Sequence, residues 1–135
     1  MAEVAKVQPV SYSSLTPPQS DTINGLLAGA NIAAGDACYI AATGLVHPAS
    51  GAAADNTVSV VAGFAFTDAS TGDPVTLVTA GNFRWASALT PGARLFLSGA
   101  VAGGLADTAS TGGTVPVAQA IDATRIRILS AGIGV

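Results

Sequence analysis

Three stretches of this chain repeat one pattern: a glycine, a short apolar run, and a second glycine where the chain turns back. They are Gly35-Asp36-Ala37-Cys38-Tyr39-Ile40 up to Gly44-Leu45-Val46, Gly72-Asp73-Pro74-Val75-Thr76-Leu77 up to Gly81-Asn82-Phe83, and Gly92-Ala93-Arg94-Leu95-Phe96-Leu97 up to Gly99. Runs this short, bounded by turn residues, cannot carry helical periodicity, and they read as strands. No segment shows helical periodicity over three turns. The pattern predicts an all-β fold: a small β-barrel or sandwich of short hairpins.

The 135 residues fit one domain with a genuine core. Half of the composition is apolar, but much of it is alanine. Burial yields about 25 cal/mol per Å², and alanine offers little area. A monomer with such a core is expected to be modestly stable, so self-association or docking on a larger surface would add the missing burial.

Two regions differ in texture. Residues 1–31 are expected to form an extended N-terminal arm, and residues 32–135 the β domain. Pro17-Pro18 favours a polyproline-like path and keeps the preceding residues out of helix. Val10, Tyr12 and Leu15 are apolar anchors in an otherwise polar segment, which suits an arm that docks. Asp21 to Ala30 reads as a turn or short strand leading into the domain. In the domain, Val58 to Phe66 is the strongest strand candidate, with Ser59 and Gly63 marking a bend or a close backbone approach. Ser98 to Gly113 reads as a hairpin with a long exposed loop, Val115 to Ile121 as a strand, and Ala131 to Val135 as a tail. In Arg125-Ile126-Arg127-Ile128 the isoleucines are expected to face the core and the arginines to face away.

Reactive groups are few. His47 is the single histidine, no Gly-x-Ser-x-Gly elbow is present, and His47 precedes a proline. The acids Asp36, Asp68 and Asp73 stand at turns, where aspartate caps its own backbone. No metal site, cofactor site or catalytic set is expected. Cys38, the only cysteine, reads as a small buried hydrophobe. Gly99 to Gly104 lacks the Gly-Lys-Ser/Thr ending of a phosphate loop. Trp85 is either a contact hot spot or a cover over the core. The net charge is −3, and Arg84, Arg94, Arg125 and Arg127 look scattered, which argues against nucleic-acid binding. No signal-peptide pattern and no membrane-length apolar run is seen. The chain is therefore expected to be soluble and made in a cytoplasm.

The string from Val61 to Gly81, Val-Ala-Gly-Phe-Ala-Phe-Thr-Asp-Ala-Ser-Thr-Gly-Asp-Pro-Val-Thr-Leu-Val-Thr-Ala-Gly, is similar to the centre of the small capsid decoration (cement) proteins of tailed bacteriophages. The strand after Gly35-Asp36, the turn Leu89-Thr90-Pro91-Gly92 and the closing Val115 to Ala120 extend the resemblance to about residues 32–130. Ala118 stands where such relatives often carry Gly. The resemblance implies a non-enzymatic protein on the exterior of the virion. It would bind the major capsid protein lattice of an expanded head and itself form a homodimer or homotrimer, with no nucleic acid or membrane partner. The resemblance does not cover the arm; the residues' own reading gives Val10, Tyr12, Leu15, Pro17, Pro18 and Trp85 as the expected capsid or subunit contacts. The competing reading is a phage tail or fibre module that binds a host surface receptor. That reading calls for clustered aromatics, of which the chain has few.

Overall fold

The computed structural model describes residues 3–4, 22–53 and 57–129. Eleven strands are formed among them, and no helix: β1 (Glu3–Val4), β2 (Thr22–Ala28), β3 (Ala37–Ile40), β4 (Leu45–Pro48), β5 (Gly63–Ala65), β6 (Pro74–Val78), β7 (Asn82–Arg84), β8 (Arg94–Leu97), β9 (Leu105–Ala106), β10 (Ala118–Ala120) and β11 (Arg125–Ile128). They form a closed five-stranded barrel in the order β2-β4-β3-β5-β6, and a six-stranded sheet in the order β1-β9-β8-β10-β11-β7.

The three repeats begin with one and the same turn. The amide of Asp36 donates to the carbonyl of Ala33 at 3.0 Å, that of Asp73 to Ser70 at 2.9 Å, and that of Ala93 to Thr90 at 3.0 Å. The third residue of each turn is a glycine at φ 87°, 90° and 85° respectively, the left-handed value a type II turn requires. In the first two turns the aspartate also caps: Ala33 N–H donates to Asp36 Oδ2 at 2.9 Å, and Ser70 N–H to Asp73 Oδ2 at 3.0 Å. The first and third repeats become the antiparallel pairs β3·β4 and β8·β9. The second does not close as a hairpin. Its chain passes Gly81, at φ 124°, out of the barrel and into the sheet.

Side-chain alternation splits the strands between two apolar clusters. Cys38, Val46, Ala65, Val75 and Leu77 point into the barrel lumen with Ala28 and Ile32. Their neighbours Ala37, Phe64 and Val78 point outward and meet Phe83, Leu95, Leu97 and Ile126 of the sheet. The barrel and the sheet are thus two layers sharing one wall. Phe64 and Phe83 pack edge to face across it at 6.0 Å. Trp85 Nε1–H donates to the Gly35 carbonyl at 2.8 Å, tying the sheet to the first turn of the barrel.

Several sequence expectations need revision. The boundary of the expected arm moves, because Thr22–Ala28 is a barrel strand and Glu3–Val4 is the edge strand of the sheet. β2 closes the barrel by pairing antiparallel with β6 and parallel with β4, and its register shifts between Ile23 and Leu26. Gly25, at φ 80°, stands in that bulge, which bends β2 enough to serve both neighbours. Val58 to Phe66 is not one strand: Val60 N–H turns back to the Thr57 carbonyl, and strand β5 begins only at Gly63. The close approach expected at Gly63 is present, since a Cβ there would lie 2.8 Å from Leu77 Cβ. The hairpin expected around Ser98 to Gly113 is formed by β8 and β9, but its loop is less exposed than expected. Leu105 and Ala106 form β9 and are fully buried. Ala131 to Val135 lie outside the described residues.

Candidate functional site: the free edges and outer face of the sheet

Of the six expected contact residues, Val10, Tyr12, Leu15, Pro17 and Pro18 lie outside the described residues. Trp85 is only 1% exposed and sits in the shared wall, where it covers the core.

The reactive residues are absorbed by structure. His47 lies on β4 opposite Tyr39, and the two rings stack at 5.4 Å. Cys38 is buried and its thiol donates to the Asp36 carbonyl at 3.3 Å. Asp36, Asp68 and Asp73 line an open depression of about 470 Å³. Each carboxylate there accepts a backbone amide, from Ala33, Ser70 and, for Asp68, Ala34 at 2.7 Å. That geometry makes them turn and loop caps. Among the described residues no group of three or more His, Cys, Asp or Glu is placed to hold a metal ion. Among the described residues no helix is long and apolar enough to cross a membrane.

Two features of the sheet remain as surfaces. The first is its β1 edge. Glu3 and Val4 pair with Ala106 and Leu105, adding a strand from the N-terminal region to the rim of the domain. Ser98 Oγ–H donates to Glu3 Oε1 at 2.5 Å, and Val4 packs against the shared core. The same serine oxygen accepts the amides of Ala100 and Val101 at 3.0 Å, which shapes the loop over the edge. A largely apolar cavity of about 320 Å³ lies beneath, between Val4, Trp85, Val101 and Ala102.

The second is the outer face, where the arginines prove not to be scattered. Directly paired residues share a face of a sheet. Arg94 is opposite Gln119, Gln119 opposite Arg127, and Arg127 opposite Asn82. Arg125, two residues from Arg127, is opposite Arg84. All four arginines of the chain therefore stand on the outer face of β7, β8, β10 and β11. Arg125 is engaged by Asp122, with Nε 2.7 Å from Oδ2. That guanidinium, with the amides of Thr124 and Arg125, holds the Asp122 carboxyl well below the usual carboxylate range. Sequence reasoning missed the cluster because only strand register brings the four together. The alternation in Arg125-Ile126-Arg127-Ile128 was the one available signal, and its orientation is as expected: Ile126 is buried and Arg127 exposed.

Compared with protein-family models, curated proteins and solved structures, the chain gives no match. Function is therefore argued from the residues alone.

Proposed function

We propose that the chain is a non-enzymatic structural protein that decorates and braces the outer surface of an expanded phage head. The observation that carries this reading is the resemblance of Val61 to Gly81 to capsid decoration proteins. The fold supplies a physical reason for the motif's residue types. Gly63 is needed for close backbone approach to β6, Gly72 for the left-handed turn position, and Asp73 for the cap. Pro74 is the first residue of β6, a position that tolerates proline.

The mechanism would be linkage. A protein that binds only the expanded lattice stabilises that state by RT ln(1 + [L]/Kd), and weak contacts repeated over a lattice add by avidity. The N-terminal segment would make part of the contact, through Val10, Tyr12, Leu15, Pro17 and Pro18. Support for this comes from β1, where an extended N-terminal piece already completes a sheet edge. The partners in this reading are the major capsid protein lattice and further copies of the chain.

Quantitative mass spectrometry of purified particles tests it, by ratioing this chain to the major shell protein. Near-equal abundance is the expected outcome. A handful of copies per particle points to a tail or vertex component, and absence from the particle ends the reading.

A further inference from the structure

We infer that the row Arg94–Gln119–Arg127 is a docking site for an acidic, extended segment of a partner protein. This goes beyond the proposed function and does not depend on it. The three residues stand side by side on β8, β10 and β11. They line one groove, of about 310 Å³, together with Val115, Pro116 and Leu129.

Charge complementarity selects the partner. The whole chain has a net charge of −3, yet its four arginines share this face. Arg125 is matched by Asp122. Among the described residues no carboxylate pairs with Arg94 or Arg127. Arg127 Nε–H instead donates to Gln119 Oε1 at 2.9 Å, and Gln119 Nε2–H to the Gly92 carbonyl at 3.2 Å. Gln119 thus acts as a neutral post that orients one guanidinium without neutralising it. Arginine binds carboxylate with paired parallel hydrogen bonds, which favours a planar acid over a diffuse negative field.

Spacing selects an extended segment. Arg94 and Arg127 lie two strands apart, about 10 Å at the backbone. Carboxylates at alternate positions of an extended chain stand about 6.6 Å apart, a gap two long arginine side chains can converge on. Leu129, 38% exposed, with Val115 and Pro116 offers an apolar shelf beside the row. An apolar residue flanking the acids would cover it.

The test uses the full-length ¹⁵N-labelled protein and a synthetic peptide of alternating Glu and Leu. The expected result is shift changes confined to Arg94, Gln119, Arg127 and Leu129, weakened by salt. Arg94→Gln and Arg127→Gln should each weaken binding about tenfold, in line with loss of one charge-assisted contact. Both sites are exposed, so the variants should keep the wild-type spectrum elsewhere. Should either variant unfold, the wild-type shift map alone decides. Equal binding by a Gln-for-Glu peptide, no binding, or shifts mapping elsewhere overturns the inference. So does tighter binding of a single-stranded oligonucleotide, which would make the anion a phosphate. Salt-sensitive self-association that masks the row would make the occupant a second copy and likewise overturn it.

Discussion

Replacing Leu77 by Ala probes whether the barrel lumen behaves as a rigid container. Leu77 has no exposed area and shares the lumen cluster with Ala28, Ile32, Cys38, Val46, Ala65, Ala69 and Val75. The alanines have nothing to swing into a void, and the β-branched Ile32, Val46 and Val75 are stiff at χ1. The ring β2-β4-β3-β5-β6 is closed by hydrogen bonds all the way round, which resists collapse. Leu→Ala in protein cores costs about 2.7 kcal/mol where the site collapses and about 5 where it does not. At roughly 24 cal/mol per Å³, about 100 Å³ of residual void separates those limits. Leu77→Ala should fall in the upper half, about 4 kcal/mol or more. Leu89→Ala is the reference: Leu89 is 7% exposed, in the other cluster, and should cost about 3 kcal/mol. The assay is urea unfolding followed by fluorescence. The chain has one tryptophan, Trp85, buried in the wall that both layers share, so its emission reports the whole fold. Far-UV circular dichroism should give the same transition. A Leu77→Ala cost below about 2 kcal/mol, or one no larger than that of Leu89→Ala, would refute the rigid-lumen argument.

Three further outcomes are expected. Gly72→Ala should cost about 1–2 kcal/mol from backbone strain alone, since its φ is 90° and no atom lies within 4 Å of the added Cβ. Gly63→Ala should cost more, because the new Cβ would meet Leu77 Cβ at 2.8 Å and the Val78 carbonyl at 3.0 Å; the reverse order in urea melts would contradict the packing described. Asp122 has its folded pKa lowered by Arg125 and by the two amides, so its contribution is present above the unfolded value of about 3.9 and is lost as pH falls through the folded one. Asp122→Asn should therefore flatten the acid limb of the stability–pH curve, and an unchanged slope would count against the ion pair. Ile126→Asp should abolish the folded circular-dichroism spectrum, because Ile126 is fully buried, whereas Arg127→Ala should stay within about 0.5 kcal/mol of wild type.

What could be read in the sequence was whatever is encoded within a few residues. The type II turns at Gly35, Gly72 and Gly92 are local, and so is the inward-outward alternation of Arg125 to Ile128. The all-β class follows from them. The errors lie where distant partners decide. Val58, Val60 and Val61 are β-branched and apolar, but the backbone turns at Thr57 to Val60 before strand β5 begins. Leu105-Ala106 looks like a break in a low-complexity loop, yet it becomes a buried strand because β8 and β1 flank it. The small residues around it are there to let chains approach: a Cβ on Gly113 would fall 2.6 Å from the Leu97 carbonyl.

The arginines carry the same point to function. In sequence, Arg84, Arg94, Arg125 and Arg127 are separated by up to 43 positions and share no motif. Two facts bring them to one face: the strand order β8-β10-β11-β7, and the residue-by-residue register of three ladders. Strand period is 2, so a slip of one residue in any ladder would send that arginine into the apolar wall. Burying an unpaired guanidinium there would be prohibitive. The buried residues Leu95, Ala118, Ala120, Ile126 and Phe83 therefore fix the arginines' face as firmly as they fix the core. The basic face is written in the hydrophobic positions between the charges, and a binding surface with no local signature follows from ordinary core packing.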